Sequence, residues 1–101
     1  MKIYLDDLRD PKTNGWTIVR TASECIDLIK KYRNEIKYIS FDHDLGDDDD
    51  GTGYDVAKWI EAECFFGMKC PKWNIHSANP VGEKNIRAAM EAAERYSKEN
   101  Y

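Results

Sequence analysis

The chain has two histidines, and each follows an apolar run and lies beside other chemically active groups. Asp42, His43 and Asp44 come directly after Tyr38 to Phe41, while His76 and Ser77 come directly after Lys72 to Ile75. Asp6 and Asp7 close a third such run, Lys2 to Leu5. Imidazoles titrate near neutral pH. A pair of them facing one phosphate can deprotonate an attacking oxygen and protonate a leaving one without a nucleophilic side chain. The competing reading of a histidine beside an acid is a hydrogen-bonded structural residue, and alternation along a continued strand would set His43 opposite Asp42 and Asp44. Asp6, Asp7, Asp42 and Asp44 offer hard oxygen donors from two strand ends, a set suited to Mg²⁺ or Ca²⁺. Alternatively, some of these carboxylates cap helices or pair with Arg9 and Arg20. An EF-hand is excluded: with Gly51 at the sixth loop position, Gly46 and Ala57 fall at the first and twelfth, where carboxylates are required.

Further residues suit an anion. Ser77, Asn79 and Gly82 fall where a helix would begin, and the free N–H groups of a helix start attract a phosphate that Gly82 would let come close; ordinary capping explains Asn79 equally well. Arg9, Lys84 and Arg87 supply positive charge, although a solvated face also accounts for Arg87. Trp16 and Tyr54 flank the acidic segments and offer rings on which a base could stack, or else they pack in the core or at its rim. Asp47 to Asp50 place four like charges in a row before Gly51 and Gly53, which reads as a solvated, mobile lid.

The elements that must hold these groups alternate. Strands are expected at Lys2 to Leu5, Thr17 to Arg20, Lys37 to Phe41 and Lys72 to Ile75. The segment between the first two contains Pro11 and Asn14-Gly15 and reads as a loop. Helices are expected after Thr21, with Glu24 at capping-box spacing, to about Arg33; after Thr52, with Asp55 three on, to Phe66 and a stop at Gly67; and after Asn79-Pro80, fraying near Asn100. Strands separated by helices imply a parallel sheet, whose ligands bind beyond the carboxyl ends of the strands. The acids and histidines close the first, third and fourth strands, so all are expected at one edge.

With 101 residues, the chain reads as one domain spanning positions 1 to 101. Its net charge of −4 argues against a partner that is a long nucleic-acid duplex, and nine of its 19 acidic residues fall in two short stretches, as a local cation site would require. The chain has no apolar stretch near the roughly 20 residues of a membrane span. Cys25, Cys64 and Cys70 form an odd set without CxxC spacing and read as reduced thiols. Met1 leads straight into a strand pattern with no basic flank or apolar run. Cytoplasmic localisation is the expectation.

LDDLRDP at Leu5 to Pro11, SFDHDLG at Ser40 to Gly46, TGYD at Thr52 to Asp55 and IHSANPVG at Ile75 to Gly82 together resemble the receiver-like family of cyclic-phosphate processing domains. That resemblance implies a shortened relative of the response-regulator receiver, with Asp6 and Asp7 where receivers keep a metal-binding acidic pair, Asp42 where they keep the phosphorylated aspartate, and Ser77 where they keep a hydroxyl. A loop replaces the receiver helix between strands one and two, and the chain stops before a fifth strand with its lysine, which weakens a phosphorelay role. The two histidines are what the divergent family adds. The expected fold is a three-layer, flavodoxin-like or receiver-like α/β domain with a four-stranded parallel sheet, order 2-1-3-4, and three helices. The expected function is hydrolysis of a cyclic nucleotide or a cyclic-phosphate RNA end. Asp6, Asp7, Asp42 and Asp44 would hold a divalent cation such as Mg²⁺, and His43 and His76 would be the catalytic base and acid, in either order. Arg9, Ser77, Asn79 and Gly82 would hold the phosphate. Alternatives are a module that sequesters the same ligand uncleaved and a degenerate receiver that signals to a protein partner.

Overall fold

A computed structural model describes residues 1–46 and 51–100. The run from Asp47 to Asp50, expected as a solvated lid, lies outside the described residues. The elements are β1 (Lys2–Leu5), β2 (Trp16–Val19), α1 (Ala22–Tyr32), β3 (Tyr38–Phe41), α2 (Gly53–Phe65), β4 (Lys72–Ile75) and α3 (Pro80–Asn100). The four strands form one parallel sheet in the order β2-β1-β3-β4, as the alternation of elements and the family resemblance imply. In this order the sheet reverses direction between β1 and β3, the place where parallel sheets open a crevice. β2 begins one residue earlier than expected, because Trp16 pairs in register with Lys2. Arg20 falls outside it and ties down the loop between β1 and β2, reaching the Arg9 carbonyl at 2.8 Å and Asp10 at 2.7 Å.

Side-chain caps set the helix starts. The Thr21 hydroxyl accepts from the Glu24 N–H at 3.1 Å. Thr52 and Asp55 form a reciprocal capping box, and Asn79 Oδ1 accepts from the Gly82 N–H at 3.0 Å at the head of α3. Such caps satisfy N–H groups that a helix leaves without internal partners.

Among the described residues, however, a third layer does not form. The crossovers β2-α1-β3 and β3-α2-β4 run in the same direction across the sheet, and right-handed crossovers of one direction lie on one face. α1 packs on β1, β2 and α2, and α3 packs on α2 and β4. Their apolar stripes, including Cys25, Ile29, Val56, Ile60, Ile86 and Met90, meet Ile3, Leu5, Ile39 and Phe41 in a single core. The β1–β2 connection runs the other way across the sheet and would have put a helix on the opposite face, but it is a loop, and α3, which no later strand constrains, packs beside α2. Among the described residues that face, bearing Lys2, Tyr4, Trp16, Tyr38 and Ser40, carries no helix, so the domain has two layers. Cys25, Cys64 and Cys70 are free, as expected.

Gly51 and Gly53, expected in a mobile loop, are instead packed. Gly51 has φ +75°, and a Cβ there would lie 2.9 Å from the Ala22 Cβ. Gly53 opens α2 against the end of β3: its N–H donates to the His43 carbonyl at 2.9 Å, and a Cβ would lie 1.9 Å from the Asp42 carbonyl oxygen. Because backbone cannot yield as a side-chain tip can, Gly53→Ala is expected to cost about 2 kcal/mol, which is roughly 10 °C in melting temperature for a domain of this size. A thermal melt showing no loss would contradict this packing.

Candidate functional site

Asp6 follows β1 and extends the sheet by one bond, its N–H donating to the Val19 carbonyl at 3.2 Å. Its side chain is wholly buried, where a carboxylate is costly unless its acceptor sites are filled. They are all filled. Oδ1 accepts from the N–H groups of Leu8 at 2.9 Å and Arg9 at 2.7 Å, and Oδ2 accepts from Arg9 Nε at 2.9 Å and faces His76 Nε2 at 3.0 Å. The loop after β1 thus wraps around one carboxylate. Burial by itself would raise the Asp6 pKa, but the Arg9 and Leu8 N–H groups, the His76 bond and the Arg9 charge together hold it below the usual value. The Asp6 charge in turn raises the pKa of Arg9.

His76 prolongs β4, donating its N–H to the Phe41 carbonyl at 2.8 Å. Its ring lies parallel to Tyr4, with centroids 4.4 Å apart and planes 8° from coincidence. Nε2 faces Asp6, and Nδ1 lies 2.7 Å from the Ser40 hydroxyl. Ser40, His76 and Asp6 therefore form a continuous hydrogen-bonded chain. Burial, then the Asp6 charge, pushes the Tyr4 phenol up.

Asp42 follows β3, and its N–H donates to the Leu5 carbonyl at 2.9 Å. Its carboxylate accepts from the His43 N–H at 2.9 Å and lies 3.6 Å from Arg9 Nη2. Burial raises the Asp42 pKa, as does the Asp6 charge, against the opposing pull of the His43 N–H and Arg9. Asp6, Asp7 and Asp42 each bring a carboxylate oxygen within 4.8 Å of the others. They line a pocket of about 330 Å³, together with Arg9 and Asp44. Three carboxylates less one guanidinium leave a charge of −2, and the donors are all hard oxygens, so the trio fits a divalent cation. Asp7 and Asp42 are the freer ligands, because Asp6 would have to give up a hydrogen bond.

Asp44 borders this pocket but stands apart from the trio. It accepts from His43 Nδ1 at 2.9 Å, which holds its pKa down, and lies 3.4 Å from Asn79 Nδ2. The His43 ring packs on the first turn of α3, where a Cβ on Gly82 would come within 2.2 Å of it. Gly82 therefore makes room for the His43 ring, where the sequence suggests room for the close approach of a phosphate. Asn79 caps this turn, and Ser77 Oγ accepts from the Asn79 N–H at 3.1 Å, so both residues are engaged in starting the helix. Arg87 pairs with Glu83 at 3.0 Å and Tyr54 lies under Lys58, both apart from the pocket.

The expected residues thus form two groups. Asp6, Asp7, Arg9, Asp42 and His76 gather at the crevice, while His43, Asn79, Ser77 and Gly82 gather at the start of α3, and Asp44 touches both. On the bare sheet face, beside the first group, lies an open cleft of about 740 Å³ whose lining includes Tyr4, Trp16, Tyr38, Ser40, Arg9 and His76. Ser40 and Tyr4 were not expected in the site. Alternation along β1 and β3 was the available signal, since it places both on the face that the missing helix leaves bare.

The sequence profile of a family described as "Cyclic-phosphate processing Receiver domain" matches residues 1–92. Comparison with curated proteins and with solved structures finds no match.

Asp6 and Asp42 should respond to neutralisation with opposite signs. Asp6→Asn removes a carboxylate whose folded pKa is lowered. It is expected to cost about 3 kcal/mol or more at neutral pH, and wild type loses the part of its stability that the lowered pKa reflects as pH falls from the usual carboxylate range through the lowered folded value. Asp42 has a raised folded pKa, so its ionisation weakens the fold as pH rises through that value. Asp42→Asn is expected to raise the melting temperature at neutral pH, with the gain vanishing below the usual carboxylate range. Melts of both variants between acid and neutral pH check the two signs; a loss on Asp42→Asn equal to that on Asp6→Asn would contradict them.

Proposed function

The chain belongs to the cyclic-phosphate processing receiver domain family, and on that premise we propose that it hydrolyses the phosphodiester of a cyclic phosphate, in a cyclic nucleotide or at a cyclic-phosphate RNA end. The observation that carries this reading is His76, held between Asp6 at 3.0 Å and Ser40 at 2.7 Å beside Arg9, where the acidic pocket meets the open cleft. Arg9 borders both cavities and its side chain is 54% exposed, so its outer nitrogens can bind the non-bridging oxygens of a phosphate at that junction.

Asp6 accepts from Nε2 of His76 and so directs the basic lone pair of the neutral ring to Nδ1, toward Ser40 and the cleft. In the protonated ring the same carboxylate stabilises the charge, and Nδ1 returns the proton to the oxygen that leaves phosphorus. His43, oriented by Asp44 in the same manner, is the second proton carrier, acting on the attacking water. The two roles are interchangeable. Water adds to phosphorus as the ring P–O bond breaks, giving a monoester and a free hydroxyl. Asp7 and Asp42, with Asp6, would hold a divalent cation, which when bound offsets charge on the phosphate.

One observation favours a second reading, in which the ligand is held without cleavage. Both ring nitrogens of His76 and every acceptor site of Asp6 are already satisfied within the protein, an arrangement that also suits a rigid binding platform.

Incubation of the purified protein with cyclic mono-, di- and oligonucleotides and cyclic-phosphate RNA, with and without chelator, separates the two. Hydrolysis is expected, reduced roughly a hundredfold or more by His76→Ala and weakened by Asp7→Asn together with Mg²⁺ dependence. Stoichiometric binding with intact ligand recovered would establish sequestration instead. Neither turnover nor binding across the panel would end both readings.

A further inference from the structure

The open cleft is built differently from the acidic pocket beside it. Trp16 stands nearly perpendicular to both neighbouring rings, at 72° to Tyr4 and 81° to Tyr38, with centroids 5.7 Å and 5.8 Å away. It is held there from two directions. Its Nε1–H donates to Thr13 Oγ1 at 2.9 Å, and Lys2 Nζ lies 4.5 Å from its ring centroid. Tyr4 is fixed in turn by its stack on His76. Three aromatic side chains are therefore held in place around one cleft on a sheet face that carries no helix among the described residues.

The charge of the cleft runs against that of the chain. In a protein of net charge −4 its lining contains Lys2, Arg9 and Lys12, and the one acid there, Asp10, is paired with Arg20 at 2.7 Å. An aromatic, cationic cleft takes an anion that carries a flat ring. Ser40 and Asn74 add polar groups to this lining, and the Asn74 amide, which makes no hydrogen bond to any described residue, is free to meet a ring edge. The volume of about 740 Å³ is that of a small-molecule site.

We infer that this cleft binds the nucleoside of a nucleoside phosphate, with the base against Trp16, Tyr4 and Tyr38 and the phosphate at Arg9. The inference rests on the proposed function, because Arg9 is the residue that joins the cleft to His76 and the acidic trio. It makes the base, not the phosphate ring alone, the source of recognition. Stacking on aromatic side chains tolerates any base, so the cleft selects for the presence of a base more strongly than for its identity.

Calorimetric titration of the wild-type protein with both ring isomers of cyclic adenosine monophosphate, and with the matching cyclic ribose phosphates carrying a methoxy group in place of the base, tests this without any variant. The nucleotide is expected to bind roughly ten- to a hundredfold more tightly than its base-free analogue. Trp16→Ala and Tyr38→Ala should bring the nucleotide's affinity down toward that of the analogue, and Trp16→Phe should keep most of the preference. A base-free analogue bound or cleaved as well as the nucleotide would overturn the cleft while leaving His76-dependent chemistry standing. No binding and no turnover with either class would overturn both.

Discussion

The site depends on one buried charge. Asp6 is fully enclosed, yet its carboxylate stays ionised because two backbone N–H groups, a guanidinium and an imidazole surround it. Two of those bonds bend the chain after β1 into the loop that replaces a helix. The other two fix Arg9 and His76, which stand where the acidic pocket meets the open cleft. Removing the charge would therefore release a loop, a cation and an imidazole together. Asp42 lies across the reversal of the sheet, ionises less readily because it is buried and lies in the field of Asp6, and leans on the same Arg9. One guanidinium thus balances two carboxylates, and the remaining negative charge is what would suit the trio with Asp7 to a divalent cation.

The same loop determines the shape of the domain. A helix between β1 and β2 would cross the bare face and cover Tyr4, Trp16, Tyr38 and Ser40. Without it, the sheet has one dry face and one wet face, and His76 stands on the border, with Asp6 on the crevice side and Ser40 in the cleft. The imidazole consequently connects two cavities of opposite character, one acidic and one aromatic with basic side chains. A substrate that has both a phosphate and a flat ring matches that division.

Much of this is legible in the sequence. The strands end in chemically active residues, and a parallel sheet brings those ends together, so the gathering of Asp6, Asp7, Asp42 and His76 follows from the order of elements. Side-chain rotation at the ends does not follow from it. His43 is next to Asp42, but the chain turns there, its ring settles on Gly82, and its partner becomes Asp44. The spacing of Ser77, Asn79 and Gly82 is equally consistent with phosphate binding and with helix initiation, and the geometry shows the latter. The number of layers was misjudged for a different reason: Pro11 and Asn14-Gly15 mark the loop, but its effect on the far face appears only when the hands of both crossovers are considered. Ser40, in the middle of a strand, looks like a core residue until that face is known to be bare.

The separation of Asp6 from its donors has a bearing on how the molecule assembles. Leu8 and Arg9 are two and three positions away, whereas His76 is 70 positions away. As a polypeptide leaves the ribosome, the near donors can close on the carboxylate at once, but the imidazole joins only after β3 is in place and β4 has docked beside it. Until then, among the described residues, the guanidinium is the side-chain counter-ion that Asp6 has. The arrangement gives the nascent domain an electrostatically settled first corner, while the hydrogen-bonded chain through Ser40 has to wait for the last strand.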